Sequence, residues 1–134
     1  MRRNAFVPLA VCVLLLATAC ATQLAGLGTQ IHESVEQAAA ATSSARYASE
    51  LRLSDRTTAA QTETALSDAN KEVVAALTTV AELDSDAAHA ELQHSATDRI
   101  IEAAKAIERA RRVVDPAALD GLRTAEHNLT EFGS

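Results

Sequence analysis

The 134-residue chain has no tryptophan, one tyrosine and two phenylalanines. A pocket that grips a sugar or a flat ligand by ring stacking has almost nothing to be built from. Two cysteines occur, Cys12 and Cys20, too few for a disulfide framework. Between Thr29 and Asp115 there is neither glycine nor proline. The tight turns that join short strands depend on those residues, so this long stretch reads as helix. A phosphate-cradling glycine loop and a Gly-x-Ser-x-Gly nucleophile elbow are both missing. Basic residues are the minority, 12 against 18 acids, for a net charge of −6. Such a body is repelled by nucleic acid and by anionic lipid heads, and neither is expected as a partner.

What the chain does have begins at its first residues. Met1-Arg2-Arg3 is positively charged, and no charge follows from Ala5 to Ala19. That run of 15 residues is shorter than the roughly 20 a membrane-spanning helix needs. A basic start, a short apolar core and small residues before a cut site are the marks of a secretory signal peptide. Pro8 inside the run also disfavours a stable spanning helix.

The run ends in Leu14-Leu15-Leu16-Ala17-Thr18-Ala19-Cys20. Ala17-Thr18-Ala19-Cys20 resembles the lipobox of bacterial lipoproteins, the motif cut by signal peptidase II. Small residues let the backbone lie extended in a protease groove, and only a thiol gives the thioether that carries a diacylglycerol. The resemblance implies that residues 1–19 are removed, with Ala17, Thr18 and Ala19 recognised by the peptidase. Cys20 then becomes a lipidated N-terminus. The expected location is the extracytoplasmic face of a membrane, which is the outer membrane in an enteric-type cell. Arg2 and Arg3 leave with the signal peptide, so the remainder carries 10 basic residues against 18 acidic, or −8. Cys12 leaves too, and lipid would consume Cys20, so the body folds on packing alone.

That packing is thin. Leu, Ile, Val, Phe and Tyr after Cys20 number 23 of 115 residues, at the border where low bulk and high charge favour disorder. Alanine compensates, because it has the highest helix propensity and loses no side-chain entropy. Residues 20–28 form a short tether with a reach of about 25–30 Å when extended. Residues 29–134 form the helical domain.

Four helices are predicted. Helix 1 spans 29–52, with Leu27, Ile31, Val35, Ala38, Thr42, Ala45 and Ser49 at three-four spacing. Tyr47 and Leu51 are expected to take over the contact where that stripe fades. Ser54 and Asp55 offer N-caps, and Thr58-Ala59-Ala60-Gln61 fits a capping box. Helix 2 then runs to Leu83, with Leu66, Val73 and Val80 every seventh residue in a coiled-coil-like seam. Asp86 is a candidate cap for helix 3, over 87–114, where Ile100, Ile107 and Val114 alternate with Ala96, Ala103 and Ala110. Glu102 with Lys105, and Glu108 with Arg112, are spaced to pair. Asp115-Pro116 opens a short helix 4 over 116–131. The fold class is all-α, an antiparallel bundle of three long helices and a short C-terminal one. The competing arrangement fuses helices 1 and 2 into one rod.

No residue set announces catalysis. His89 and His94, five apart, lie about 140° around a helix and share no face, so no metal site is expected. The acids are scattered and single out no acid–base pair. No cofactor is implied, and an enzyme is not expected. Arg109, Arg111 and Arg112 form a basic cluster that either compensates the negative end of helix 3 or contacts an anionic group. The heptad stripes serve as core, or leave one stripe open for a partner helix or a second copy. The expected function is a non-enzymatic envelope lipoprotein that scaffolds or binds a partner. The alternative is a carrier holding a small ligand or lipid between its helices.

Overall fold

The computed structural model describes residues 26–132 and residue 134. They form α1 (Leu27–Leu53), α2 (Ala59–Glu82), α3 (Ala90–Arg112) and α4 (Pro116–Phe132). Each helix packs antiparallel to its neighbours in sequence, and α4 returns against α1. The α1–α3 diagonal is in contact, whereas α2 and α4 do not meet. The cross-section is therefore a flattened diamond with α1 and α3 on its short diagonal. Among the described residues no helix is long and apolar enough to cross a membrane.

The predicted stripes are the core. Leu66, Val73 and Val80 of α2 and Ile100 and Ile107 of α3 are at most 1% exposed, and Ala96, Ala103 and Ala110 are fully buried between them. Alternating isoleucine with alanine lets α3 approach its neighbours closely. Helix α1 buries polar residues as well. Thr42 Oγ1 donates to the Ala38 carbonyl at 2.7 Å and Ser49 Oγ to that of Ala45 at 2.9 Å. Bonding back to the preceding turn satisfies these hydroxyls without a partner from another helix.

The break after α1 is sharper than the residues suggested, and α1 and α2 are separate helices. Ser54 and Asp55, expected as N-caps, instead end α1. Asp55 sits at φ 56°. The Arg56 N–H reaches the Leu51 carbonyl at 2.8 Å and the Asp55 N–H reaches that of Arg52 at 3.2 Å. These two bonds make a Schellman motif, which wants glycine at the left-handed position. Asp55→Gly should therefore stabilise the domain by about 0.5–1 kcal/mol, a rise of a few degrees in melting temperature. The Arg52–Asp55 ion pair lost in the exchange is 3.6 Å long and exposed, so it offsets little. Thermal denaturation followed by circular dichroism reads the change, and no rise would mean that Asp55 carries no strain.

The capping box of α2 forms as the residues predict, with Thr58 Oγ1 accepting from the Gln61 N–H and the Thr58 N–H donating to Gln61 Oε1, both at 3.1 Å. Helix α3 starts later than expected, at Ala90 rather than residue 87, because Asp86 closes a turn first. Its carboxylate accepts the His89 N–H at 3.0 Å and the ring Nδ1 at 2.7 Å. The His89 ring bond is the main cause of the Asp86 carboxyl lying below the usual range. From α3, Gln93 Nε2 donates to the Val80 and Leu83 carbonyls at 2.6 and 3.0 Å. It thus satisfies the last turn of α2. Asp115 caps α4 through the Ala118 N–H at 2.6 Å.

Ion pairs hold α4 to α1. Arg46 bridges Glu126 at 2.5 Å and Glu50 at 2.9 Å, and Arg123 reaches Glu50 at 3.2 Å. The bond to Glu126 is the largest cause of the raised Arg46 pKa, and the bond from Arg46 is the largest cause of the lowered Glu50 pKa. At the other end of α4, Arg99 of α3 lies over the Phe132 ring at 5.5 Å and also donates to the Asn128 carbonyl. Tyr47, expected to extend the α1 contact, is 59% exposed. It projects opposite the buried stripe, nearly half a turn from Ala45 and Ser49.

Candidate functional site

The sequence contains apolar doublets where a helix with one buried face needs a single residue. Neighbours on a helix are about 100° apart, so a doublet places one side chain inside and one on the flank. Val73 is fully buried, whereas Val74 is 46% exposed. Ile100 is buried, whereas Ile101 is only half-buried. The two flank residues come from antiparallel helices and face the same outer groove between α2 and α3. Val74, Leu77, Ile101 and Ala104 give this groove its apolar lining, in a volume of about 480 Å³.

One end of the groove is cationic. Arg109 and Arg112 line it and make no ion pair among the described residues. The one carboxylate in the lining, Glu108, is held by Arg111 at 2.7 Å. Arg111 also clamps Glu63 of α2 through Nη2 at 3.0 Å and Nε at 3.2 Å. The Glu63 bond, followed by the Glu108 bond, raises the Arg111 pKa. Pairing of Glu108 with Arg112, expected from their spacing, does not occur, because the fork of Arg111 reaches both carboxylates and ties α2 to α3. The basic cluster therefore divides. Arg111 is a structural brace, and Arg109 with Arg112 are left to solvent.

Asn70 lines the same groove. Its Oδ1 is the one buried side-chain polar atom without a hydrogen-bond partner among the described residues. A buried acceptor left unpaired costs about 1–3 kcal/mol. The groove thus combines an apolar lining with two guanidinium groups that make no ion pair among the described residues.

The chain matches no family model, no curated protein and no solved structure. Its chemistry is read from its own side chains.

A second groove, of about 510 Å³, opens at the end of the bundle farthest from Gly26, beside Arg52, Asp55, Glu63 and Arg111. Two of its arginines are already matched to its acids, Arg52 to Asp55 at 3.6 Å and Arg111 to Glu63 at 3.0 Å. It presents less unpaired charge than the α2–α3 groove.

The histidines are dispersed. His32 packs on Phe132 at 5.5 Å between ring centres. His89 lies beside Asp86 in the turn before α3, and His94 and His127 lie beside Asp98 and Glu131 on the surfaces of α3 and α4. Among the described residues no three metal-ligating side chains come together. Cys20 and the recognition residues Ala17, Thr18 and Ala19 lie outside the described residues. The residue-level reading missed Asn70, Val74 and Ile101. The doublets Val73-Val74 and Ile100-Ile101 were the available signal.

Proposed function

We propose that this protein is a lipoprotein of the cell envelope, held by lipid on Cys20 at the extracytoplasmic face, whose helical domain binds a protein partner near the membrane. The lipobox-like Ala17-Thr18-Ala19-Cys20 supports the anchor. The observation that carries the binding role is the α2–α3 groove, where Leu77 and Ala104 pack against the core and Val74 and Ile101 are apolar residues beyond what that core uses. Val73, Val80, Ile100 and Ile107 fill the interior with no exposure at all. Val74 and Ile101 contribute little to that interior, yet they gather on one face beside two unpaired arginines. The role is non-enzymatic. The surface offers shape, apolar contact and charge, and no nucleophile stands beside a base in it. Helix α1 begins at Leu27 rather than at residue 29, so only residues 20–26 would serve as the tether, with a reach of about 25 Å from the lipid surface.

Native mass spectrometry of the protein extracted from its own membranes separates this role from that of a carrier. The expected species is the chain with its covalent lipid and no further small molecule. A stoichiometric, non-covalent lipid or metabolite that survives extraction would overturn the binding-module reading in favour of a carrier.

A further inference from the structure

We propose that the α2–α3 groove receives one amphipathic helix of another envelope protein, apolar on the face it buries and acidic where it meets Arg109 and Arg112. This rests on the partner-binding reading above and adds to it a surface and the chemistry of the occupant.

The class of occupant follows from what the groove offers. An extended peptide gains affinity by pairing its backbone with a sheet edge, and a helical bundle has no such edge. A helix satisfies its own backbone and needs only a trough between two parallel ridges. Asn70 to Leu77 spans about 10 Å of α2, and Ile101 to Arg112 spans about 16 Å of α3. A partner segment of about 11 residues, with apolar positions at i, i+3, i+4 and i+7, covers that length.

Its charge follows from the rim. Glu108 is occupied by Arg111, so the free charge at this end of the groove is positive in a chain that is otherwise acidic. An acidic flank on the partner is complementary, and a basic one is excluded. A second copy of this chain fits poorly. Side by side and parallel, two copies would bring Arg109 and Arg112 against their own counterparts. Antiparallel, they would set their lipid tethers about 40 Å apart, the length of α1.

The test is site-specific photo-crosslinking of the full chain in its native membrane, with sequencing of the cross-linked peptide. A photo-reactive residue at Val74 should trap a segment of one other protein with apolar three-four spacing and at least two acids. Arg109→Glu together with Arg112→Glu should cut the yield by about tenfold or more, with an unchanged circular dichroism spectrum. Lys71→Glu, outside the groove, should leave the yield unchanged. A cross-link to this chain itself, to lipid, or to a basic or non-helical segment overturns the proposal. So does a yield indifferent to the arginine reversals. A probe at Tyr47 separates two kinds of failure. If Val74 traps nothing while Tyr47 traps a partner, the groove is wrong and the binding role stands; if neither traps a protein, both fall.

Discussion

Replacing Cys20 with serine should abolish fatty-acid labelling of the protein and leave residues 1–19 attached. The argument is chemical. Sulfur is the atom that carries the diacylglyceryl group in a lipobox, and a serine hydroxyl at the same place does not form the thioether. Cleavage follows lipidation in this route, so an unlipidated chain accumulates as the precursor. The effect should be close to all-or-none because, among the described residues, no helix is long and apolar enough to cross a bilayer. Two acyl chains contribute about 0.8 kcal/mol per buried CH₂, enough for stable anchoring without help from the protein surface. An acidic body adds only repulsion from anionic lipid. Intact-mass measurement gives the decisive reading. The wild-type chain should begin at Cys20 and carry the mass of the lipid, and the Cys20→Ser chain should have the mass of all 134 residues. A wild-type chain found at that unmodified mass in the soluble fraction would sink the anchor and the assigned compartment together.

The helices were legible because they are written in repetition. Leu66, Val73 and Val80, and Ile100 and Ile107, recur at seven, and every one of them is buried. Short-range grammar was legible too, in Thr58 with Gln61 and in Asp115 before Pro116. The turn between α1 and α2 was harder. Ser54 and Asp55 are good N-cap residues, but aspartate also tolerates the left-handed conformation, and the return of α2 onto α1 selected that use. Side-chain pairing across helices was the least legible. Arg111 and Glu63 are 48 residues apart, and no local spacing announces a clamp that depends on how two helices dock. The groove was half visible. A doublet such as Val73-Val74 shows that one apolar residue is surplus. Only the packing shows that the surplus of α2 and that of α3 fall on the same side, beside Arg109 and Arg112.

The second large effect is expected at Ile100, and it separates residues that make the fold from residues that the fold displays. Ile100→Ala removes atoms from a fully buried position and leaves a cavity, at a cost of about 2–5 kcal/mol. A domain of this size has roughly 5–15 kcal/mol of stability in all. With only 23 bulky apolar residues after Cys20, this domain belongs at the low end of that range. The melting temperature should fall by about 10–25 °C, and a loss at the upper end of the range would leave the variant with almost no stability. Val74→Ala also deletes an aliphatic side chain, at nearly the same height in the bundle. Since Val74 is 46% exposed, the loss should stay below about 1 kcal/mol. Thermal melts of both variants test the distinction, and comparable losses would mean that Val74 is a core residue after all. The contrast bears directly on function. A small helical domain with little bulk to spare places Val74, Ile101, Arg109 and Arg112 on one outer face, where they add little to its own cohesion. The proposed partner helix would give those four side chains a use that the fold itself does not.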